Sequence, residues 1–179
     1  GMSGLVLQLL DEKAVEVEIV PGVSAVQAAA ARLWAPLMHD FAVISLSDLL
    51  TPWPLIRQRL DAAARADFVV ALYNPKSRGR TTQIEEARRI LLRHRPPSTP
   101  VGIVRHAGRE GEEVSISDLD SFTQKEIDMF CVVLIGNSAT RVKDGRILTP
   151  RGYGDKYLSG TESEEGDSKK GALFVGGTG

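Results

Sequence analysis

The apolar residues of this chain follow two patterns that alternate along its length. The first pattern is a short run of apolar residues, either continuous or at every second position, which is typical of β-strands. These runs are VEVEIV (15–20), FAVISL (41–46), DFVVALY (67–73), VGIVR (101–105), VSIS (114–117) and CVVLIG (131–136). A last run, within DGRILTPRGY (144–153), predicts a closing hairpin strand with Asp144-Gly145 at its turn.

The second pattern is helical spacing, which places apolar residues on one face of a segment. Residues 3–12 show it, and so does the alanine-rich segment 25–34, for which Ser24 is the expected N-cap. Two further helices follow, one after Thr51-Pro52 and one after the polar loop NPKSRGRT. Their apolar faces are expected to hold Trp53, Ile56, Leu60 and Ala63 in one helix and Ile84, Ala87 and Leu91 in the other. The alternation of strands and helices predicts an α/β fold.

A change of composition divides the chain. Residues 1–153 carry the apolar runs, whereas residues 154–171 are acidic and polar with almost no apolar side chains, which indicates a linker. The last residues, 172–179, again form an apolar run, ALFV, which leads into the glycine-rich GGTG. The sequence therefore predicts one folded domain, a linker and a strand-like tail.

Composition and charge exclude several classes of function. A net charge of −1 gives no electrostatic reason to expect binding to nucleic acid or to a membrane surface. Cys131 is the only cysteine and the three histidines are scattered, so neither an intrachain disulfide nor a metal site is expected. Without an apolar run long enough to span a bilayer, the expected location is the cytoplasm. No Gly-Lys-Ser/Thr follows a glycine run, which argues against a phosphate-loop NTPase.

The candidate binding residues lie in the loops that follow the strands, where α/β proteins hold ligands. These loops, 21–25, 47–51, 74–82, 106–113 and 137–141, are rich in small and basic residues. An anionic ligand held partly by backbone groups would suit them, although solvated basic loops would have the same composition. His39 next to Asp40 is a candidate for acid–base work, and His106 for a ligand contact. Cys131 opens an apolar strand, which favours a buried small residue over a nucleophile.

Several segments together resemble a known family. VEIVPGVSAVQAAAARL and APLMHDFAVISLSDLLTPW are similar to the tetrapyrrole methyltransferases that use S-adenosylmethionine. The segments DFVVALYNPKSRGR, HRPPSTPVGIVRHAGREGE, VVLIGNSATR and TPRGY resemble more closely the precorrin-3B C17-methyltransferases of cobalamin synthesis. The resemblance runs from Met2 to about Tyr153. It implies an α/β domain with a mixed sheet flanked by helices, in a two-domain enzyme that is usually a homodimer.

The resemblance also assigns roles to residues. It implies that S-adenosylmethionine is bound between the two domains by small residues and backbone groups. The cofactor-binding residues that it implies are Ser24, Ala25, Tyr73, Asn74, Ala107, Phe130 and Cys131. The substrate is a tetrapyrrole that carries several carboxylates, for which the implied anchors are Lys76, Arg78, Arg80, Arg109 and Arg151. The reaction is methyl transfer to C17 with contraction of the macrocycle, and His39 or Asp40 would assist its proton movements.

The chain departs from the family at its start. Members of the family open with a strand, a Gly-x-Gly-Pro-Gly loop and a Gly-Asp-Pro segment, and none of these precedes Met2. The tail 172–179 resembles that opening strand and loop, which fits either the start of a second module or a permuted strand; an artefactual end is the third alternative. The acidic linker 154–171 favours the second module. Two alternatives to a precorrin-3B enzyme stay open. One is the cobalt-factor III C17-methyltransferase of the anaerobic pathway, and the other is a non-catalytic module for dimerisation or tetrapyrrole binding.

Overall fold

The computed structural model describes residues 2–10 and 16–152. In chain order the elements are α1 (Met2–Leu9), α2 (Ala25–Leu33), β1 (Trp34–Ala35), β2 (Phe41–Ser45), α3 (Trp53–Arg65), β3 (Val69–Tyr73), α4 (Gln83–Leu91), β4 (Pro100–Arg105), β5 (Glu113–Asp118), a short 3₁₀ helix (Phe122–Gln124), β6 (Cys131–Ile135), β7 (Arg141–Lys143) and β8 (Arg146–Leu148). The predicted linker 154–171 and tail 172–179 lie outside the described residues.

A mixed five-stranded sheet forms the centre of the fold, in the order β2-β3-β6-β4-β5. β2 and β3 run parallel, β6 runs antiparallel to both β3 and β4, and β5 runs antiparallel to β4. The carboxyl ends of β2, β3 and β4 therefore meet the amino end of β6 at one edge of the sheet. The prediction of a mixed sheet flanked by helices is confirmed.

Helices α3 and α4 cover one face of this sheet and form the larger apolar core with it. The predicted face of α3 is buried at Ile56, Leu60 and Ala63, and that of α4 at Ile84, Ala87 and Leu91. The sheet contributes apolar side chains at alternate positions, including Val70 and Leu72 of β3. The helical spacing of α3 and α4 and the alternation in the strands thus identify side chains that pack in the same core.

Helix α2 and strand β8 cover the opposite face and form the second core. Val26, Ala29 and Leu33 of α2 pack there with Ala71 of β3 and Ile147 of β8. The helix lies close to the sheet because Gly102 of β4 has no side chain; a Cβ at this position would lie within 3.0 Å of the side chains of Leu33 and Ile147. One glycine therefore sets how near α2 comes to the strands.

A small sheet of β1, β8 and β7 extends this second layer. β7 and β8 pair antiparallel through a turn at Asp144 and Gly145, whose φ angles are +50° and +69°. Two consecutive left-handed residues are the requirement of a type I′ hairpin turn, which Asp-Gly meets well. The predicted closing hairpin is confirmed.

The predicted strand 15–20 is wrong where the structure describes it. Residues 16–20 have no regular secondary structure, and Ile19 and Val20 are exposed. A period-two pattern identifies a segment that is suited to a sheet, but a strand forms only where a neighbouring strand takes up its backbone hydrogen bonds. No strand of the described residues pairs with this segment.

One of the five loops expected at the ligand edge lies elsewhere. Residues 137–141 follow β6, and because β6 runs antiparallel to β3 this loop lies at the other edge of the sheet. There the side-chain amide of Asn137 donates to the carbonyl of Asp67, just before β3, at 3.2 Å. The described residues contain no helix that is long and apolar enough to cross a membrane.

Candidate functional site

A pocket of about 520 Å³ opens at the edge of the sheet where β3 and β4 end and β6 begins. Its walls come from the start of α2, the end of β3, the loop after β4 and the turn before β6. Six of the seven residues expected to bind the cofactor line it: Ala25, Tyr73, Asn74, Ala107, Phe130 and Cys131. A volume of this size is within the range of small-molecule sites. The seventh residue, Ser24, is the N-cap of α2 beside them.

Tyr73 connects the end of β3 to the start of α2. Its hydroxyl oxygen accepts a hydrogen bond from the backbone N–H of Val26 at 3.1 Å. Ser24 occupies the N-cap position with extended backbone angles, but its side chain makes no capping hydrogen bond. The first turn of α2 therefore obtains its side-chain partner from a residue 47 positions further along the chain. This bond fixes the pocket wall that Ala25 belongs to.

Asn74 turns the chain sharply at the carboxyl end of β3. Its φ angle is +47°, a left-handed conformation that asparagine tolerates better than most residues. Its side-chain amide donates to the hydroxyl of Ser45 at the end of β2 at 3.1 Å. Its backbone carbonyl accepts from the Arg80 guanidinium at 2.9 Å. These contacts join the ends of the two parallel strands beside the pocket.

The turn before β6 is held by Asp128, a residue that the sequence did not single out. Its carboxylate accepts from the backbone N–H of Phe130 at 2.9 Å and from Arg105 Nε at 2.9 Å. Desolvation acts to raise the pKa of Asp128, but hydrogen bonds from Phe130, Cys131 and Arg105 together lower it below the usual value. Asp128 is therefore a carboxylate at neutral pH and holds this wall of the pocket in place.

Cys131 lines the pocket and is a buried neutral thiol. Burial raises its pKa to about 11, and its Sγ lies 3.4 Å from the carboxylate of Asp128. A thiol reacts as a nucleophile only when it is deprotonated. The geometry thus agrees with a buried small residue rather than a nucleophile.

Aromatic and apolar side chains form the rim of the pocket. The rings of His106 and Phe130 meet edge to face with centroids 4.9 Å apart. Phe130, Met129 and Val23 are exposed there, with 53%, 57% and 82% of their surface accessible. Exposed apolar groups around a concave site are typical of a ligand-binding surface. Met129 and Val23 were missed because an isolated apolar residue in a loop carries no pattern.

The expected substrate anchors divide into three places. Arg109 lines the pocket itself. Lys76, Arg78 and Arg80 lie in the loop after β3, where Arg80 is bonded to Asn74. Arg151 lies 3.9 Å from the carboxylate of Asp40, away from this loop. The structure thus groups four of the five cations around the ligand edge.

His39 and Asp40 are not brought to the pocket. Nδ1 of His39 accepts the backbone N–H of Asp40 at 2.9 Å, and the carbonyl of Asp40 accepts the N–H of Val69 at the start of β3. Because the pocket lies at the other end of β3, the length of this strand, about 13 Å, separates the pair from it. Among the described residues there is also no cluster of three or more side chains that would hold a metal ion.

Comparison with known proteins identifies the family. The sequence profile described as Tetrapyrrole (Corrin/Porphyrin) Methylases matches residues 1–123. The chain belongs to the tetrapyrrole methylase family. Among its relatives, the chain is 53% identical over 169 residues to the cobalt-factor III methyltransferase of Priestia megaterium, with 90% of this chain aligned. It is 49% identical over 155 residues to the probable cobalt-factor III C(17)-methyltransferase of Salmonella typhimurium, with 86% aligned.

Solved structures of tetrapyrrole methylases share the fold. The methyltransferase CobJ superposes with a TM-score of 0.75 over 82% of this chain, at 38% identity. The uroporphyrin-III C-methyltransferase of Thermus thermophilus, solved in complex with S-adenosylhomocysteine, gives a TM-score of 0.56 over 76% of this chain, at 25% identity. The chain itself spans 31% of the Priestia protein, 64% of the Salmonella protein and 62% of the CobJ chain.

Proposed function

We propose that this chain is a working part of a C17-methyltransferase of cobalamin biosynthesis, and that its pocket is the site for S-adenosylmethionine. The observation that carries the proposal is the convergence of Ala25, Tyr73, Asn74, Ala107 and the 130–131 turn on one pocket. These residues are far apart in sequence, and the family resemblance selects them for one ligand. Membership of a family of S-adenosylmethionine-dependent methylases supports the same assignment.

The lining of the pocket suits such a ligand. Small side chains at Ala25, Ala28 and Ala107 let a ligand approach the backbone closely, and the edge-to-face pair of His106 and Phe130 offers aromatic surface to a purine. When bound, S-adenosylmethionine supplies a methyl group on a positively charged sulfur. Transfer of that group requires alignment of donor and acceptor more than a strong base. The residues of this chain would therefore act by orienting the ligand and excluding water.

The tetrapyrrole would lie on the loops beside the pocket. Leu49 and Leu50 are almost fully exposed in the loop after β2. In the same loop, Asp48 accepts a 2.9 Å hydrogen bond from Gln83, the first residue of α4, which directly follows the basic loop 74–82. An apolar surface next to cations matches a flat macrocycle with carboxylate side chains. We assign Lys76, Arg78, Arg80 and Arg109 to those carboxylates, and no role in the reaction to His39 or Asp40.

The cobalt-containing substrate is favoured over its metal-free counterpart. Both relatives named above, at 53% and 49% identity, carry the name of cobalt-factor III methyltransferases. Precorrin-3B, the metal-free substrate, is the second candidate because the same sheet and pocket would serve it. We also propose that the protein works in the cytoplasm as a homodimer that binds neither nucleic acid nor membrane; light scattering of the purified chain tests the dimer.

The test is a methyl-transfer assay with labelled S-adenosylmethionine and each of the two tetrapyrroles in turn. Transfer of label to C17 of the cobalt-containing macrocycle supports the proposal, and transfer only to precorrin-3B reverses the order of the two substrates. Binding of tetrapyrrole without transfer to either one would make the chain a non-catalytic module and overturn the assignment.

A further inference from the structure

The loop between β4 and β5 is tied to the far end of α2 by one carboxylate. Glu112, at the end of this loop, accepts a hydrogen bond from the backbone N–H of Gly108 at 2.5 Å and another from Arg32 Nε at 2.7 Å. Arg32 lies in the last turn of α2, 80 residues before Glu112. Glu112 is not among the residues that line the pocket.

The loop needs such a contact because of its backbone conformation. Three of its residues, His106, Gly108 and Gly111, have φ angles of +49°, +71° and +73°. The N–H of Arg109 closes a tight turn onto the carbonyl of His106 at 2.8 Å. A left-handed residue other than glycine is disfavoured and persists only where its surroundings determine it. The bond from Gly108 to Glu112 fixes the middle of the loop at a glycine, the residue type with the greatest backbone freedom.

This contact also joins the two elements that supply two walls of the pocket. One wall is the start of α2, at Ala25 and Ala28, and the other is the segment His106 to Arg109. Since Glu112 holds Gly108 with one oxygen and Arg32 with the other, it couples the middle of the loop to the last turn of α2. The hydrogen bonds from Gly108 and then Arg32 hold the pKa of Glu112 below its usual value, so the carboxylate stays charged at neutral pH.

We propose that Glu112 is a positioning residue for the cofactor pocket: by bridging Gly108 and Arg32 it holds the loop 106–112 against α2 in the form that accepts S-adenosylmethionine. This inference rests on the proposed function of the pocket. It assigns a role in cofactor affinity to a side chain outside the pocket lining.

The experiment is calorimetric titration with S-adenosylhomocysteine, together with hydrogen exchange of the loop amides. Because Glu112→Ala removes both hydrogen bonds, and because the ion pair is partly exposed, we expect a dissociation constant raised about fivefold. Faster exchange should be confined to residues 106–111. Glu112→Gln keeps one oxygen that accepts from Gly108 but loses the charge and the acceptor for Arg32, so it should restore only part of the affinity. Glu110→Ala is the matched control, because this neighbouring exposed carboxylate lies outside the pocket lining.

The kinetic readout separates positioning from general stability. In the methyl-transfer assay Glu112→Ala should raise KM for S-adenosylmethionine and leave KM for the tetrapyrrole unchanged. An unchanged dissociation constant in Glu112→Ala, with binding by the wild-type chain intact, would overturn the inference alone. Equal losses in Glu112→Ala and Glu110→Ala would do the same. Failure of the wild-type chain to bind S-adenosylhomocysteine would overturn the proposed function and this inference with it.

Discussion

Replacing the hydroxyl of Tyr73 tests how the pocket wall formed by α2 is held. In Tyr73→Phe the ring stays in place, but the backbone N–H of Val26 loses the oxygen that lies 3.1 Å from it. In Ser24→Ala the N-cap hydroxyl is lost, yet no capping hydrogen bond is broken. The pair of variants therefore compares a long-range partner with a local one at the same helix end.

The structure predicts that Tyr73→Phe lowers stability more than Ser24→Ala, whereas the capping preference alone predicts the reverse. Loss of one partly buried hydrogen bond is expected to cost about 1 kcal/mol in Tyr73→Phe. For a chain of this size that corresponds to a fall in Tm of about 2–4 °C. Ser24→Ala should change the free energy of unfolding by less than about 0.5 kcal/mol. The N-cap preference of serine, taken without the structure, would instead assign about 1 kcal/mol to Ser24.

Urea unfolding followed by circular dichroism measures both variants against the wild type, and thermal melts give a second estimate. The double variant serves as the control, because the two effects should add if Ser24 is not part of the capping bond. A loss of 1 kcal/mol or more in Ser24→Ala, with Tyr73→Phe unchanged, would refute the reasoning. It would mean that serine caps α2 and that Tyr73 does not support the pocket wall.

Three further predictions concern the cores and the titrating groups. Gly102→Ala should destabilise the chain by about 1–3 kcal/mol through overpacking, whereas Gly79→Ala, with no atom near its added Cβ, should have little effect in the same urea titration. Hydrogen bonds from the hydroxyl and then the N–H of Ser121 lower the pKa of Asp118. Its contribution to the free energy of unfolding is therefore present above about pH 4 and is lost as the pH falls through the lowered pKa. Asp118→Asn should weaken this acid dependence of stability, and an unchanged curve of unfolding free energy against pH would contradict the prediction. With a pKa of about 11, Cys131 should react with iodoacetamide at pH 8 far more slowly in the native chain than in urea, and equal rates would show that the thiol is accessible.

Most of the larger core could be predicted from the sequence. Helical spacing is a local property, so it identified the buried faces of α3 and α4, including Ile56, Leu60 and Ile84. Strand direction is not local, because apolar alternation is the same in parallel and antiparallel strands. The loop 137–141 was consequently expected at the ligand edge, whereas the antiparallel course of β6 places it at the other one.

The candidate site could be predicted only in part, for a similar reason. The family resemblance selected residues such as Tyr73 and Ala107, and the structure shows which walls they come from. The contacts that hold those walls were missed. Val26 is bonded across 47 positions and Arg32 across 80, and nothing in the local sequence marks either pair. The alternation of apolar and polar residues at 15–20 likewise predicted a strand, because a local pattern does not show whether a neighbouring strand is available to pair with it.

The most direct test of the central claim is titration of the chain with S-adenosylhomocysteine in a calorimeter, for the wild type and for two matched helix variants. Ala28 lines the pocket from α2, and Ala62 is exposed on α3 outside the pocket lining. Both sites accept leucine within a helix at little cost in propensity. The account predicts one binding site in the wild type. Ala28→Leu should weaken binding at least about tenfold, because the larger side chain would occupy space that the ligand needs, and Ala62→Leu should leave the affinity unchanged. Wild-type heats indistinguishable from dilution, or equal affinity in both variants, would contradict it.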